Sequence, residues 1–205
     1  MFESSQTALY AQAPALLFAW ASWCFLHSLL AGRRIRNRLI SRLHLSPQHY
    51  RLGYVLFSTL TVAALFYWQL LRVSPPAPAG VMWQMVRLLF GIYGFYMLAA
   101  GGRAYDLREF LGLVPLSEDL KPIHFTREGI LGKVRHPWYS GGIALVIAIG
   151  NTPLDRWDWR LLLIVYLVVG CLIEERRLVN ELGRVYRRYR KEVPMLIPRI
   201  KPKKK

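Results

Sequence analysis

The sequence is poor in acidic residues and in cysteine. Only 12 aspartates and glutamates stand against 28 lysines and arginines, and the formal net charge is +16. The two cysteines, Cys24 and Cys171, lie inside apolar runs without metal-type spacing, which is typical of buried thiols that behave as small hydrophobes. The five histidines are scattered, and no cluster of His, Cys, Asp or Glu has the spacing of metal ligands. We therefore expect no metal site.

Two further absences concern targeting and the choice of partner. The chain opens Met1-Phe2-Glu3, with no positively charged segment before the first apolar run, so a cleaved signal peptide is not expected. Apolar residues make up 54% of the chain and cluster in long runs, which a nucleic-acid-binding module of this size would not carry. We therefore interpret the positive charge as anchoring at an anionic lipid surface, with no nucleic-acid partner.

Five apolar stretches are candidates for crossing a membrane, which takes about 20 mainly apolar residues of helix. The last two are short unless their flanks are included, and a tight helical hairpin is their simplest interpretation, with a re-entrant pair as the alternative. The sequence thus predicts an all-α, polytopic membrane helix bundle with about five transmembrane helices. The five stretches are residues 14–31, 52–73, 81–101, 141–149 and 161–173.

The segments between and after these stretches are more polar. The proline-rich segment 74–80 indicates a turn, and segment 102–140 a loop with short or interfacial helices. Trp157 and Trp159, between the last two stretches, are expected at a membrane interface. From residue 174 the periodicity predicts an amphipathic, cytoplasmic-side helix that continues off the last span and ends near Pro194. Residues that recur there at spacings of three and four are Leu178, Leu182, Val185 and Tyr189.

The positive charges lie on one side of this topology. Segments 32–51 and 103–140 hold six lysines and arginines each, and the chain from residue 174 holds twelve. The opposite side has only Arg72, Arg156 and Arg160. Because positive residues favour the cytoplasmic face, the sequence predicts an outside N-terminus and a cytoplasmic C-terminus, and an odd number of crossings fits this.

Two charged clusters lie next to the last two apolar stretches. One is GKVRHPWYSGG, at 132–142, and the other is EERRLVNELGRVYRRYRKEVPMLIPR, at 174–199. A hairpin would bring both to the same cytoplasmic edge, and charge held beside a membrane marks a candidate site. Their guanidinium, carboxylate and aromatic groups match what a sulfonium cofactor needs: a donor for its carboxylate, and carboxylate and π surfaces near its positive centre.

These clusters resemble the isoprenylcysteine carboxyl methyltransferase-like family. The family pattern is Arg-His-Pro-x-Tyr-x-Gly, then Glu-Glu-x-x-Leu, then Gly-x-x-Tyr-x-x-Tyr, then Val-Pro and a final Pro. The resemblance covers about residues 126–199. The matching residues are Arg135, His136, Pro137, Tyr139, Gly141, Glu174, Glu175, Leu178, Gly183, Tyr186, Tyr189, Val193, Pro194 and Pro198.

The resemblance implies an integral membrane enzyme that uses S-adenosylmethionine in a cytoplasmic-side pocket and takes a lipophilic acceptor from the bilayer. It implies a single membrane domain, with three spans over 1–101, a cofactor-binding half over 102–199 and a basic tail over 200–205. It also implies that Arg135 and Glu175 are catalytic and orient acceptor and cofactor. The residues expected to line the cofactor pocket are His136, Pro137, Tyr139, Gly141, Glu174, Tyr186 and Tyr189.

The N-terminal half is similar to methanethiol S-methyltransferases and their denitrification-associated relatives. This similarity implies methyl transfer to a small thiol, with a prenylcysteine carboxylate or a lipid amine as alternative acceptors. From the residues alone, His27 is expected to be a hydrogen-bonded packing residue rather than a ligand. The positions that carry the similarity are His27, Ser28, Tyr50, Arg51, Tyr54, Asp106, Phe110 and Gly112.

Two other functions stay open. Membrane sterol-type reductases share a similar C-terminal pattern and use NADPH, although they are larger bundles and carry an Arg-Asp-Glu run where this chain has IEERR. A non-catalytic membrane scaffold that keeps the pocket is the other alternative. Taken singly, each feature also has a structural explanation, because tyrosines form aromatic belts and charged runs at the end of a span form interfacial ion pairs.

Overall fold

A computed structural model describes residues 2–72, 80–105, 107–114, 129–149 and 157–199, with side chains except for 2–13 and 70–72. Over these residues the chain is all-α without strands, as expected, and a 3₁₀ turn, Gly129–Gly132, precedes the sixth α-helix. The basic tail and all but the last residue of the predicted turn at 74–80 lie outside them. The helices are α1 (Phe2–Ala31), α2 (Arg33–Leu43), α3 (Pro47–Arg72), α4 (Val81–Ala104), α5 (Leu107–Phe110), α6 (Pro137–Ala148) and α7 (Trp157–Glu192).

Among the residues that the structure describes, three helices are long and apolar enough to cross a membrane. They are Pro14–Ala31 within α1, Pro47–Gln69 within α3, and α4. The first has the bounds of the first predicted span, and the other two overlap the second and third predicted spans. Large apolar side chains such as Phe18 and Phe95 point outward from them. This arrangement suits a lipid environment, in which a helix satisfies its own backbone hydrogen bonds and its apolar surface needs no protein cover.

Contacts divide the chain into two compact units, which are described separately below. The third predicted span, α4, groups with C-terminal elements rather than with α1 and α3. The N-terminal unit consists of Met1–Pro78, Leu107–Glu118 and Arg156–Leu162, and the C-terminal unit of Ala79–Asp106, Asp119–Asp155 and Leu163–Lys205.

In the N-terminal unit, α1 and α3 pack around a fully buried tryptophan. Trp20 contacts Phe66 edge-on at 4.9 Å between ring centroids, and stacks on Trp159 at 5.8 Å. Its indole N–H donates to Gln69 Oε1 at 3.0 Å. The sequence predicted Trp157 and Trp159 together at a membrane interface. Trp159 is buried in this aromatic core, whereas Trp157 is exposed. The position of both at a membrane interface stays a prediction.

The loop predicted between α1 and α3 contains a helix. Five of the eleven residues of α2 are arginine, yet Ile35, Leu39 and Leu43 follow one another at helical spacing. The helix ends at His44, whose left-handed backbone (φ 51°) lets its N–H donate to Ile40 O. The segment is therefore a helix with an amphipathic pattern, although its many arginines had led to its interpretation as a loop.

In the C-terminal unit, glycines allow α4 and α6 to approach closely. A Cβ atom at Gly94 would lie 2.7 Å from Leu145 Cγ, and one at Gly141 would lie 2.8 Å from Gly94 O. The Tyr93 and Ser140 hydroxyls hydrogen-bond across the same contact at 2.6 Å. Small residues at a helix crossing bring backbones together in membranes, where dispersion and hydrogen bonds drive association. This crossing fixes the position of α6.

Helix α7 continues off the last apolar stretch, as predicted. The sequence also predicted an unbroken helix to about Pro194, and that prediction is wrong. Gly183 interrupts it with a non-helical backbone (φ 57°, ψ −122°). A residue with a Cβ is strained in this conformation, whereas glycine adopts it readily. The chain changes direction there, and Tyr186, Tyr189 and Val193 beyond the break are buried in a common cluster.

Candidate cofactor site

The two charged clusters of the sequence meet in the C-terminal unit. Pro137 opens α6, a position where its missing N–H costs nothing. The backbone N–H of Arg135 donates to Pro194 O at 2.9 Å, and that of His136 donates to Met195 O at 3.1 Å. The segment that follows α7 therefore lies alongside the segment that precedes α6.

A buried ion pair joins these segments to α7. Arg135 contacts Glu175 through one edge of its planar guanidinium, with Nε donating to Oε1 at 2.8 Å and Nη2 donating to Oε2 at 2.9 Å. Its Nη1 atom donates to the backbone carbonyls of Arg190 and Val193. Both side chains of the pair are almost fully buried, so each charge depends on the other for its stability.

Glu175 is the centre of the site. Besides Arg135, its Oε1 atom contacts His136 Nε2 at 2.8 Å and accepts a hydrogen bond from the Tyr186 hydroxyl at 2.5 Å. Its Oε2 atom lies 2.8 Å from Arg190 Nε. The carboxylate thus ties together the residues before α6, the middle of α7 and the segment beyond Gly183.

The electrostatics of the site follow from these contacts. Burial alone would raise the pKa of Glu175, but the hydrogen bonds from Arg135, Tyr186 and His136 outweigh it and lower that pKa. Burial and the neighbouring Glu175 charge raise the pKa of Tyr186. At neutral pH the cluster therefore combines an ionised carboxylate with a neutral phenol that donates to it.

The remaining predicted site residues divide between the cluster and other contacts. Tyr139 places its ring edge-on to His136 at 5.7 Å, and its hydroxyl hydrogen-bonds to Glu174, which is half-buried. Tyr189 donates its hydroxyl to Leu131 O at 2.6 Å. Gly141 lies in the crossing with α4, where its lack of a side chain serves helix packing. Its place in the cofactor pocket stays a prediction.

Arg190 was not among the site residues predicted from the sequence. It is one of seven arginines between residues 174 and 199, and nothing in its spacing separates it from the others. Its contact with Glu175 exists because Gly183 turns the chain back, and an uninterrupted helical pattern does not predict that turn.

The N-terminal positions form their own set of contacts in the N-terminal unit. The Tyr54 hydroxyl hydrogen-bonds to His27 Nε2 at 2.8 Å, as expected for a packing histidine, and Arg51 Nη1 donates to Glu109 O at 2.8 Å. Gly112 has a positive φ of 73°. The Ser28 carbonyl accepts a hydrogen bond from the Gly32 N–H, and the Tyr50 hydroxyl donates to Leu30 O. Phe110 is exposed, and Asp106 lies outside the described residues.

The chain is similar to proteins named methanethiol S-methyltransferase. It is 29% identical over 185 residues to one from Bradyrhizobium diazoefficiens, covering 85% of this chain and 68% of that protein. It is 30% identical over 156 residues to one from a Pseudomonas species, covering 73% and 60%. It is 28% identical over 191 residues to one from Crocosphaera subtropica, covering 85% and 70%. The chain thus spans 60% to 70% of the length of these relatives.

No protein-family model and no solved structure matches the chain. The apolar helices and the named relatives nevertheless define the class, which is that of the integral membrane methyltransferases. These enzymes need a methyl donor. Within that class, the chain is similar to members of the isoprenylcysteine carboxyl methyltransferase-like family, to which these relatives belong.

Proposed function

We propose that this protein transfers a methyl group from S-adenosylmethionine to a small thiol at the cytoplasmic face of a membrane. The observation that carries the proposal is the similarity, over most of the chain, to relatives named for S-methylation of methanethiol. A prenylcysteine carboxylate or a lipid amine is the alternative acceptor that the family resemblance suggests.

The proposed topology has five crossings, formed by α1, α3, α4, α6 and the first half of α7. The apolar composition of α6 supports its crossing, although it has only 12 residues. In α7, the side chains of Leu161, Val165 and Val169 recur every fourth residue and are all exposed, as expected for a face in contact with lipid. The distribution of lysine and arginine supports a cytoplasmic C-terminus and an outside N-terminus.

The chemistry of the candidate site fits a sulfonium cofactor with an amino-acid tail. Glu174 and the ring of Tyr139 offer a carboxylate and an aromatic face for a positive centre. The guanidinium of Arg190 is partly exposed and offers donors for a carboxylate. These groups are complementary in charge to a ligand that carries both a cation and an anion.

Bound S-adenosylmethionine would supply an electrophilic methyl group, so the chain's own residues have mainly to position, orient and desolvate. Arg135 and Glu175 hold the segments around the site in register through their paired contacts. His136, Pro137, Tyr186 and Tyr189 are proposed to shape the cofactor pocket, and Gly141 to fix α6 behind it. The acceptor thiol would release its proton to solvent, and the thiolate sulfur would bond to the methyl carbon while the sulfonium–methyl bond breaks and S-adenosylhomocysteine leaves.

The experiment is methyl transfer by the full chain, purified in detergent, with labelled S-adenosylmethionine. Methanethiol, an acetylated farnesylcysteine and phosphatidylethanolamine are offered as separate acceptors. We expect dimethyl sulfide from methanethiol and little transfer to the other two. Transfer to farnesylcysteine alone would replace the thiol with a carboxylate acceptor. Saturable binding of NADPH without binding of S-adenosylmethionine would instead support a reductase.

A further inference from the structure

Arg190 is the exposed member of the cluster around Glu175. Its side chain is 46% exposed, whereas that of Glu175 is only 3% exposed. It contacts Glu175 Oε2 through Nε at 2.8 Å. Within the described part of the chain, its terminal nitrogens Nη1 and Nη2 have no partner. One edge of a guanidinium held in place by a buried carboxylate is therefore open.

The charges of the cluster do not cancel. Two arginines, Arg135 and Arg190, contact the single carboxylate of Glu175, so these three groups carry an excess of one positive charge. Arg135 is not the source of that excess, because four of its five N–H groups are used by Glu175 and two backbone carbonyls. The uncompensated charge is available at Arg190.

A planar edge with two parallel N–H donors matches a carboxylate, which it binds with two charge-assisted hydrogen bonds. We propose that Arg190 binds the carboxylate of the methyl donor's amino-acid tail through Nη1 and Nη2. Glu174, adjacent to Glu175 on α7, offers the opposite charge for the ammonium or sulfonium group of the same ligand. This inference rests on the proposed function and assigns the ligand carboxylate to Arg190 instead of Arg135.

The test compares two ligands that differ only in that carboxylate. S-adenosylhomocysteine and its decarboxylated analogue share the adenosine, the thioether and the amine. Their binding to the full chain in detergent is measured by calorimetry. We expect R190Q to weaken binding of S-adenosylhomocysteine about 10- to 100-fold, the range for losing hydrogen bonds to a charged group. Binding of the decarboxylated analogue should stay unchanged.

Two variants make this comparison specific. R187Q removes a nearby exposed arginine that makes no contact with the cluster, and it should bind both ligands as the wild type does. R190K keeps the charge but loses the planar edge, so its affinity for S-adenosylhomocysteine should fall between those of wild type and R190Q. If R190Q does not fold, judged by its thermal transition, the R190K comparison decides.

Equal weakening of both ligands by R190Q would overturn the inference, because Arg190 would then act only through the architecture of the cluster. Unchanged binding of both ligands would overturn it as well. Failure of the wild type to bind either ligand would overturn the proposed cofactor itself, and the inference with it. These outcomes separate an error in the function from an error in the residue.

Discussion

The two units of this protein surround their buried charge differently. The core of the N-terminal unit is aromatic, with Trp20 between Phe66 and Trp159. Its buried polar groups include Gln69, which accepts a hydrogen bond from Trp20, and Arg160, whose guanidinium lies 4.9 Å from the centre of the Trp159 ring. The C-terminal unit buries a carboxylate, Glu175, in contact with four polar or charged side chains.

The buried cluster in the C-terminal unit carries a desolvation penalty. Removing a charge from water costs several kcal/mol per ion, and a buried pair recovers this only with good geometry. A buried ionic cluster beside an apolar span therefore supports the proposed binding site.

The largest effect is expected from breaking the cluster at its centre. Glu175→Gln leaves Arg135 buried without a counter-charge, and we expect a loss of about 3–5 kcal/mol in stability, together with loss of cofactor binding. Thermal unfolding in detergent and ligand calorimetry measure the two effects. An unchanged thermal transition would mean that the buried charges do not depend on one another.

The next effect concerns the glycine crossing between α4 and α6. Gly94→Ala forces a methyl group against Leu145, and we expect a loss of about 1–3 kcal/mol from overpacking. Gly91→Ala, three residues earlier on α4, is the matched control, because its Cβ would lie 4.0 Å from the Ala148 side chain. If thermal unfolding shows equal stability for both variants, the crossing does not depend on close approach.

A smaller pair of variants compares the two units directly by removing one hydroxyl from each. Tyr186→Phe removes a donor to an ionised carboxylate and should cost about 1.5–3 kcal/mol, whereas Tyr54→Phe removes a partner of His27 and should cost about 0.5–1.5 kcal/mol. Only Tyr186→Phe should also weaken cofactor binding. Denaturant titration and calorimetry check both statements, and the reverse order of costs would contradict the contrast between the units.

The smallest effect is expected from pH. Because folding lowers the pKa of Glu175, its contribution to stability is fully present above the ordinary value of 4.5 and is lost as the pH falls through the folded-state pKa. The difference in thermal transition between wild type and Glu175→Gln should therefore be largest near neutral pH and shrink in acid. A difference that grows on acidification would show that Glu175 is protonated in the folded protein.

Much of this architecture was predictable because it is local. The apolar runs gave the all-α class and the first three spans, since hydropathy over about 20 residues reports directly on the surroundings of a helix. The residues Arg135 and Glu175 were named from a short motif. Their contact could not be derived from local periodicity, because 40 positions separate them along the chain.

Sequence by itself therefore determined that this protein is a helical membrane methyltransferase, and which segments carry its charge. Tertiary structure alone decided which charges meet. The break at Gly183 brings Arg190 into contact with Glu175. Gly141 lies where α6 crosses α4, and Trp159 lies in the aromatic core. The reason is physical: periodicity records how each residue is solvated, whereas the partner of a buried group depends on how distant segments pack.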